Sequence, residues 1–532
     1  MKKNRPNQPE NPQENPNSRK RRRRSKKNPE QNTSSETAVR PVQDSGKGSR
    51  FTGLFEPKQK RLRTNRYMLY TCTIIVILFL CLIGYLVKFT VKDAADIITS
   101  PYNKRTSALA ENTIRGKIQS ANGKILATSE ENDTNTRYYP YEDMFAHVVG
   151  YTGHGKAGLE SAYNYELMTS HQELTTQFKN GLTNKKNTGD TLITTLDTRL
   201  QKAAYEALGS NRGAVVAIEP KTGKVRAMVS KPDFDPNELD EIWSEISSDN
   251  STSSLLNRAT QGLYPPGSTY KVITALEYLL ENPSAVNDFH YICKGETIVN
   301  NVHINCYNQT EHGKEDMASA LAHSCNTAFV TMGCELNLKK FLRLNQTCLF
   351  DSSIPFDLAV SKSRFGLNEK SDKSDLPQAV IGQGDTLMTP FHNALIMCAI
   401  ANNGELMKPA LLEEIQSADG TNIKSFKAEK YRTLLDASDA SILKDMLKQA
   451  VTDGTGYEVD TDLYTAAGKT GTAENEGENA HAWFVGFSNV DDPDLVVCVI
   501  IENIGTGSHY AAPVAREVFD SYYNNEMYKT YR

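Results

Sequence analysis

The sequence of 532 residues predicts an α+β fold, an antiparallel sheet flanked by helices. Three observations carry this. Residues 214–218, an apolar run, and 224–229, Lys-Val-Arg-Ala-Met-Val, are strand-like and joined about Pro220-Lys221-Thr222-Gly223, a hairpin signal. Three more strand-like runs, 464–473, 482–487 and 495–502, lie near the end of the chain. Between the two sets, residues 268–281, 317–336, 390–402 and 438–451 carry helical apolar spacing, and 511–524 reads as a terminal helix packed back on the sheet. Strands gathered at the two ends of a helical middle favour an antiparallel sheet over alternating βα units.

Taken in order, residues 1–66 are rich in Asn, Pro, Gln, Lys and Arg and hold 19 Lys/Arg against 6 Asp/Glu. Such a stretch buries no core and reads as a disordered basic tail. Residues 68–87 follow with no charge, long enough to cross a bilayer, so 67–89 is expected to be a transmembrane signal anchor. Lys58, Lys60, Arg61, Arg63 and Arg66 in front of it put the N-terminus in the cytoplasm and the bulk of the chain outside. The tail then lies beside anionic lipid, which argues against a nucleic-acid partner. Residues 90–190 form a small mixed domain with two expected short strands, 114–118 and 123–127, about Asn122-Gly123. Strand 191–195 and helix 198–208 open the large domain, 191–532.

Tyr264-Pro265-Pro266-Gly267 stops the preceding chain, so Ser268 sits at the mouth of a buried helix with Lys271 one turn along. An amine there can take the proton of a hydroxyl, and the helix start favours developing negative charge. A capping serine gives the same pattern, and Ser441-Ile442-Leu443-Lys444 repeats it on a polar amphipathic stretch that reads as surface helix. Ser324-Cys325-Asn326 lies in an apolar helical stretch; its hydroxyl and amide can relay a proton and hold a substrate amide. Ser120-Ala121-Asn122 and Ser248-Asp249-Asn250 match the same short pattern without that setting. Lys469-Thr470-Gly471-Thr472 follows small residues on an expected strand, where an extended peptide can add to an open edge and a cation can meet an anionic group. Lys221-Thr222-Gly223 repeats this only as a hairpin turn.

Each motif is weak alone. Ser-x-x-Lys, Ser-x-Asn 56 residues on and Lys-Thr-Gly 145 later, behind a membrane anchor, is specific. With Leu256-Asn257-Arg258-Ala259, Ile381-Gly382-Gln383-Gly384 and Ala482-Trp483-Phe484-Val485-Gly486, the chain from about Arg115 onward resembles a class B penicillin-binding protein, a monofunctional peptidoglycan D,D-transpeptidase. The resemblance implies the fold shared by penicillin-binding transpeptidases and serine β-lactamases, with residues 90–190 as a reduced pedestal of the dimerisation type. It implies Ser268 as nucleophile toward the D-alanyl-D-alanine carbonyl and Lys271 as base. It gives Ser324 and Lys469 as proton shuttles and Asn326 as the grip on the donor amide. Thr470, Gly471 and Thr472 become the substrate strand. Stem peptides and β-lactams are the implied ligands, a polytopic glycan polymerase the implied membrane partner, and the chemistry requires no cofactor.

Rival readings share the nucleophile or discard it. A D,D-carboxypeptidase or β-lactamase passes the acyl group to water, but no acidic deacylation motif stands between Ser324 and Lys469. A non-catalytic scaffold has no need of the trio. Separately, Cys293, Cys306, His312 and Cys325 offer three thiolates and an imidazole. They read as a structural zinc site, which some elongation-type class B proteins resemble, as a Cys293–Cys306 disulfide, or as buried thiols.

Overall fold

The computed structural model describes residues 58–89, 113–129, 136–249, 251–475 and 477–524. Residues 1–57 of the expected tail lie outside this set. Residues 58–66 do not belong to a structureless tail: helix α1 (Lys58–Lys88) begins there, because Lys, Arg and Leu continue a helix well. Its 24-residue stretch Asn65–Lys88 is long and apolar enough to span a bilayer.

In the pedestal, strands β1 (Ile118–Gln119) and β2 (Ile125–Ser129) pair antiparallel, Ile118 opposite Ala127. The expected strand over 114–118 is interrupted at Arg115-Gly116-Lys117. Arg115 turns inward and meets buried Glu160 at 2.5 Å, while Arg137 reaches the other carboxylate oxygen at 2.6 Å. Two guanidiniums on one carboxylate offset the cost of burying it. Helix α2 (Leu174–Leu182) follows, then β3 (Thr191–Thr194). β3 pairs parallel with β1 and antiparallel with Leu412–Gln416, from far along the chain. The pedestal sheet therefore includes segments from both sides of the expected boundary at 190.

The large domain begins with α3 (Thr198–Leu208), capped by the Asp197 carboxylate accepting from Arg199 N, and the hairpin β4 (Gly213–Ile218) and β5 (Val225–Lys231). Helices α4 (Lys271–Glu281), α5 (Met317–Ala322), α6 (Asn326–Glu335), α7 (Pro390–Ala401) and α8 (Ala437–Thr452) follow. Strands β6 (Ala466–Ala473), β7 (His481–Ser488) and β8 (Leu495–Ile501) and helix α9 (Gly507–Tyr523) complete it. The sheet order is β6-β7-β8-β4-β5, antiparallel throughout.

Strand alternation sorts side chains between two layers. Val215, Ala217, Phe484, Val497 and Val499 face α3 and α9, whereas Ala214, Val216, Val496, Cys498 and Ile500 join the core that contains α7. Covered on both sides, β8 can be apolar from end to end, and every residue of α7 is buried. Ser441 lies exposed on α8 and Lys444 donates to Asn403, as expected of a surface helix.

Candidate active site

Ser268 does not open the α-helix. It lies in a single 3-10 turn, Gly267–Tyr270, which runs into α4 at Lys271. Gly267 at φ +53° makes this possible, and its N–H donates to Gly382 O at 2.9 Å. A Cβ on Gly382 would stand 2.3 Å from Gly267 O, so the Ile381-Gly382-Gln383-Gly384 stretch is glycine where two backbones touch. Within the turn the Thr269 hydroxyl donates to Pro266 O, and Asn393 of α7 donates to that hydroxyl.

The expected single helix over 317–336 is two helices. Ser324 between them adopts φ +57°, and Cys325 caps α6, its sulfur accepting from Ala328 N. This break makes the site: it turns the Ser324 carbonyl, the Ser324 hydroxyl and the Asn326 amide oxygen toward one point. Lys271 Nζ occupies it and donates to the three at 2.6, 3.3 and 2.6 Å. The bonds of Lys271 thus run to the Ser324 turn; Ser268 Oγ is not among its partners within the described residues. Apo active sites commonly show such loose nucleophile–base geometry. Burial pushes the Lys271 amine down to about 8.

The opposite wall is β6, the sheet's edge strand, whose one strand neighbour among the described residues is β7. Its small residues let it lie against the Ser268 turn: a Cβ on Gly471 would meet Thr269 Cγ2 and Trp483 Cβ at 3.0 Å and Pro266 O at 3.1 Å. Lys469 is fully buried and donates to Thr470 O at 3.0 Å. Burial first, then the charge of Lys271, holds its amine far below the usual range. Ser268, Ser324, Asn326, Thr470 and Thr472 line one cleft of about 1010 Å³. Of the eight catalytic and substrate-binding candidates, these five line the cleft, Lys271 bonds to the Ser324 turn, and Lys469 and Gly471 lie on the β6 wall.

Sequence reasoning missed two supports. Thr455 Oγ1 lies 2.6 Å from Thr470 Oγ1. Behind Ser268, Glu502 gathers Tyr264 Oη and Arg258 Nε, both at 2.7 Å, and Arg212 Nε at 3.2 Å. Tyr264 packs edge-on to Trp483, whose indole N–H donates to Pro265 O. Burial opposes the charge on Glu502, but Tyr264 and Arg258 hold its carboxyl below the usual range. The Arg258 and Trp483 motifs were visible, but not that they meet behind the nucleophile.

Beside the Ser324 turn, Cys293, Cys306, His312 and Cys325 place their ligand atoms within 4.8 Å of one another. Cys306 Sγ is 3.7 Å from Cys293 Sγ and 3.8 Å from Cys325 Sγ, and all three thiols are free, so the Cys293–Cys306 disulfide is not formed. A tetrahedral zinc with Zn–S bonds of about 2.3 Å sets its sulfurs about 3.8 Å apart. The donor set fits such an ion. The Cys306 thiol is held well below its usual range by hydrogen bonding, first with Cys325.

Comparison with known proteins agrees with this geometry. The family model "Penicillin binding protein transpeptidase domain" matches residues 213–520, and "Penicillin binding protein A dimerisation domain" matches 115–192. The chain is 32% identical to the peptidoglycan D,D-transpeptidase PbpA of Mycolicibacterium smegmatis, over 83% of this chain and 96% of that one. It is 30% identical to the peptidoglycan D,D-transpeptidase MrdA of Acinetobacter baumannii, over 72% and 66%. Among solved structures, the imipenem acyl-enzyme complex of penicillin-binding protein A from M. tuberculosis superposes with a TM-score of 0.72 at 29% identity, over 78% and 99% of the two chains. From these matches, and from the cleft that joins its three motifs, the chain belongs to the penicillin-binding-protein transpeptidase family.

Proposed function

We propose that Ser268 is the nucleophile of a peptidoglycan D,D-transpeptidase that β-lactams inhibit. Lys271, partly neutral through burial, takes the Ser268 proton as Oγ attacks the carbonyl between the two terminal D-alanines of a stem peptide. The backbone N–H groups of Ser268 and Thr472 receive the oxyanion, an interaction worth about 3–4 kcal/mol. The C–N bond breaks, and Ser324 with Lys469 returns the proton to the departing D-alanine. Asn326 holds the donor amide, and Thr470 and Thr472 bind the terminal carboxylate along β6. An amine of a neighbouring strand then attacks the Ser268 ester and restores the hydroxyl, which forms the cross-link. A β-lactam acylates Ser268 in the same way, but the amine released when its ring C–N bond breaks stays attached to the acyl group.

The observation that carries this reading is the Lys271 amine, bonded three times to the Ser324–Asn326 turn beneath the cleft that Ser268 and β6 share. Cys293, Cys306, His312 and Cys325 hold a structural zinc, which when bound stiffens the segment carrying Ser324. α1 anchors the chain with its N-terminus in the cytoplasm and its catalytic domain outside, beside a polytopic glycan polymerase.

The test is a fluorescent penicillin on the full-length protein, with Ser268→Ala beside it. The expected result is a long-lived adduct whose mass maps to residue 268 and which Ser268→Ala lacks. An adduct on another residue sinks the assignment, and rapid turnover of the drug favours a hydrolase.

A further inference from the structure

α2 is amphipathic the wrong way round. Two polar residues, Gln177 and Asn180, are half-buried and bond to the segments flanking the helix: Gln177 donates to Gln172 O at 2.7 Å and Asn180 to the Asn187 side chain at 3.1 Å. Its apolar residues, four apart on one stripe, face out: Leu174 is 81%, Phe178 70% and Leu182 73% exposed. No residue of this helix is buried. An outward stripe of large apolar side chains is unfavourable in water and needs a cover.

The charges around the stripe say which cover. Lys179 and Lys185 are exposed beside it, and Lys186 follows. From Leu174 to Gly189 there is no acidic residue; exposed Glu173, the N-cap, precedes the stripe at its first end only. This departs from the rest of the chain beyond residue 66, which is acidic overall. Apolar residues on one face with lysines beside them match an acyl-chain boundary under anionic headgroups. Residues 89–112 separate α1 from the pedestal and reach at most about 80 Å. The tether keeps α2 at high effective concentration near the bilayer, so weak docking suffices.

We propose that α2 is a second membrane contact: the pedestal lies on the bilayer through Leu174, Phe178 and Leu182, with Lys179 and Lys185 on anionic headgroups. This rests on the reading of α1 as the membrane anchor.

Full-length protein carrying Phe178→Trp is reconstituted in phosphatidylcholine vesicles, with and without phosphatidylglycerol, using lipid with plain or brominated acyl chains. Co-flotation with the vesicles reports on α1 by itself, so failure of the anchor and failure of α2 are told apart. The expected result, after subtracting the parent's Trp243 and Trp483 signal, is blue-shifted emission that loses most of its intensity in brominated vesicles. That loss should shrink without phosphatidylglycerol, and when Lys179→Glu and Lys185→Glu are added. Emission that stays red, ignores bromine and yields to aqueous acrylamide overturns the proposal. Protection from acrylamide without bromine quenching also overturns it, in favour of a protein cover such as a second copy. Bromine quenching indifferent to phosphatidylglycerol removes the role of the lysines. Leu182→Trp on the same stripe repeats the measurement independently of any disturbance at 178.

Discussion

The two walls of the cleft are built by different means. The β6 wall is a backbone ladder: eight successive residues pair with β7, from Ala466 opposite Ser488 to Ala473 opposite His481. The Ser324 wall is a break between two helices, held by a serine at positive φ, by the amine of Lys271 and by neighbouring sulfurs. A ladder spreads a disturbance over many equivalent bonds. A turn fixed by a few side chains depends on each of them. The Ser324 wall should therefore be the more easily broken, and substitutions on the two walls should separate chemistry from stability differently.

The largest effect is expected where the walls meet. Lys271→Ala removes the base and the three bonds on the turn together, and acylation by a fluorescent penicillin should slow about 10²–10⁴-fold. Ser268 should still carry whatever adduct forms. A smaller but severe loss is expected from Cys306→Ser, which breaks the sulfur cluster while leaving Ser268, Lys271, Ser324 and Lys469 in place. Elemental analysis should find stoichiometric zinc in the parent and a deficit in the variant, and the variant's acylation should slow. Zinc-free parent protein with normal acylation would remove the metal from the Ser324 wall.

The same contrast explains what was legible in the sequence. Ladder elements announce themselves locally: the expected helix 198–208 matches Thr198–Leu208, and residues 466–473 fall inside the strand expected from 464. The trio was legible because a few residue types at fixed order suffice. The break at Ser324 was not, because Ala318 to Met332 is continuously helix-compatible, and the partners that hold the turn, the Lys271 amine and the sulfurs around Cys325, come from elsewhere in the chain. Nor was the brace behind Ser268: Arg258 and Glu502 stand 244 residues apart, and no local pattern marks their meeting. Leu412–Gln416 entering the pedestal sheet is illegible for the same reason. In α2 the apolar spacing was present, but the direction it faces is set by tertiary packing.

The sheet side has its own weak point in acid. His392, on α7, is fully buried; its Nε2 pairs with Cys348 O at 2.6 Å, whereas its Nδ1 has no partner among the described residues. Burial pushes its imidazole down to about 4. The unfolded chain, titrating near 6.5, binds the proton first, so the stability is whole above about 6.5 and is lost as pH falls toward 4, by about 3 kcal/mol in all. Denaturant melts against pH should show this slope in the parent, and His392→Gln should reduce it by His392's share, since burial also pushes the His147 imidazole down to about 4. A parent indifferent to pH between 7 and 4 would contradict it.

The smallest effect is the most discriminating, because it uses two glycines of one strand. A Cβ on Gly468 would stand 2.6 Å from Phe484 Cζ and 3.0 Å from Gly486 Cα, inside the β6–β7 ladder. A Cβ on Gly471 would press on Thr269, Trp483 and Pro266 O; Thr269 lies in the turn bearing Ser268 and Pro266 immediately precedes it. Both Gly468→Ala and Gly471→Ala overpack, and each should cost about 1–3 kcal/mol in denaturant melts. Their acylation rates should part. The ladder absorbs the strain at 468 and leaves Ser268 in place, so that variant should acylate at the parental rate. At 471 the strain passes through Pro266 and Thr269 to the nucleophile, so acylation should slow even in protein that is fully folded. Equal rates in the two variants would mean that β6 and the Ser268 turn move as one body, and the contrast between a tolerant ladder and a dependent turn would fail at the point where they touch.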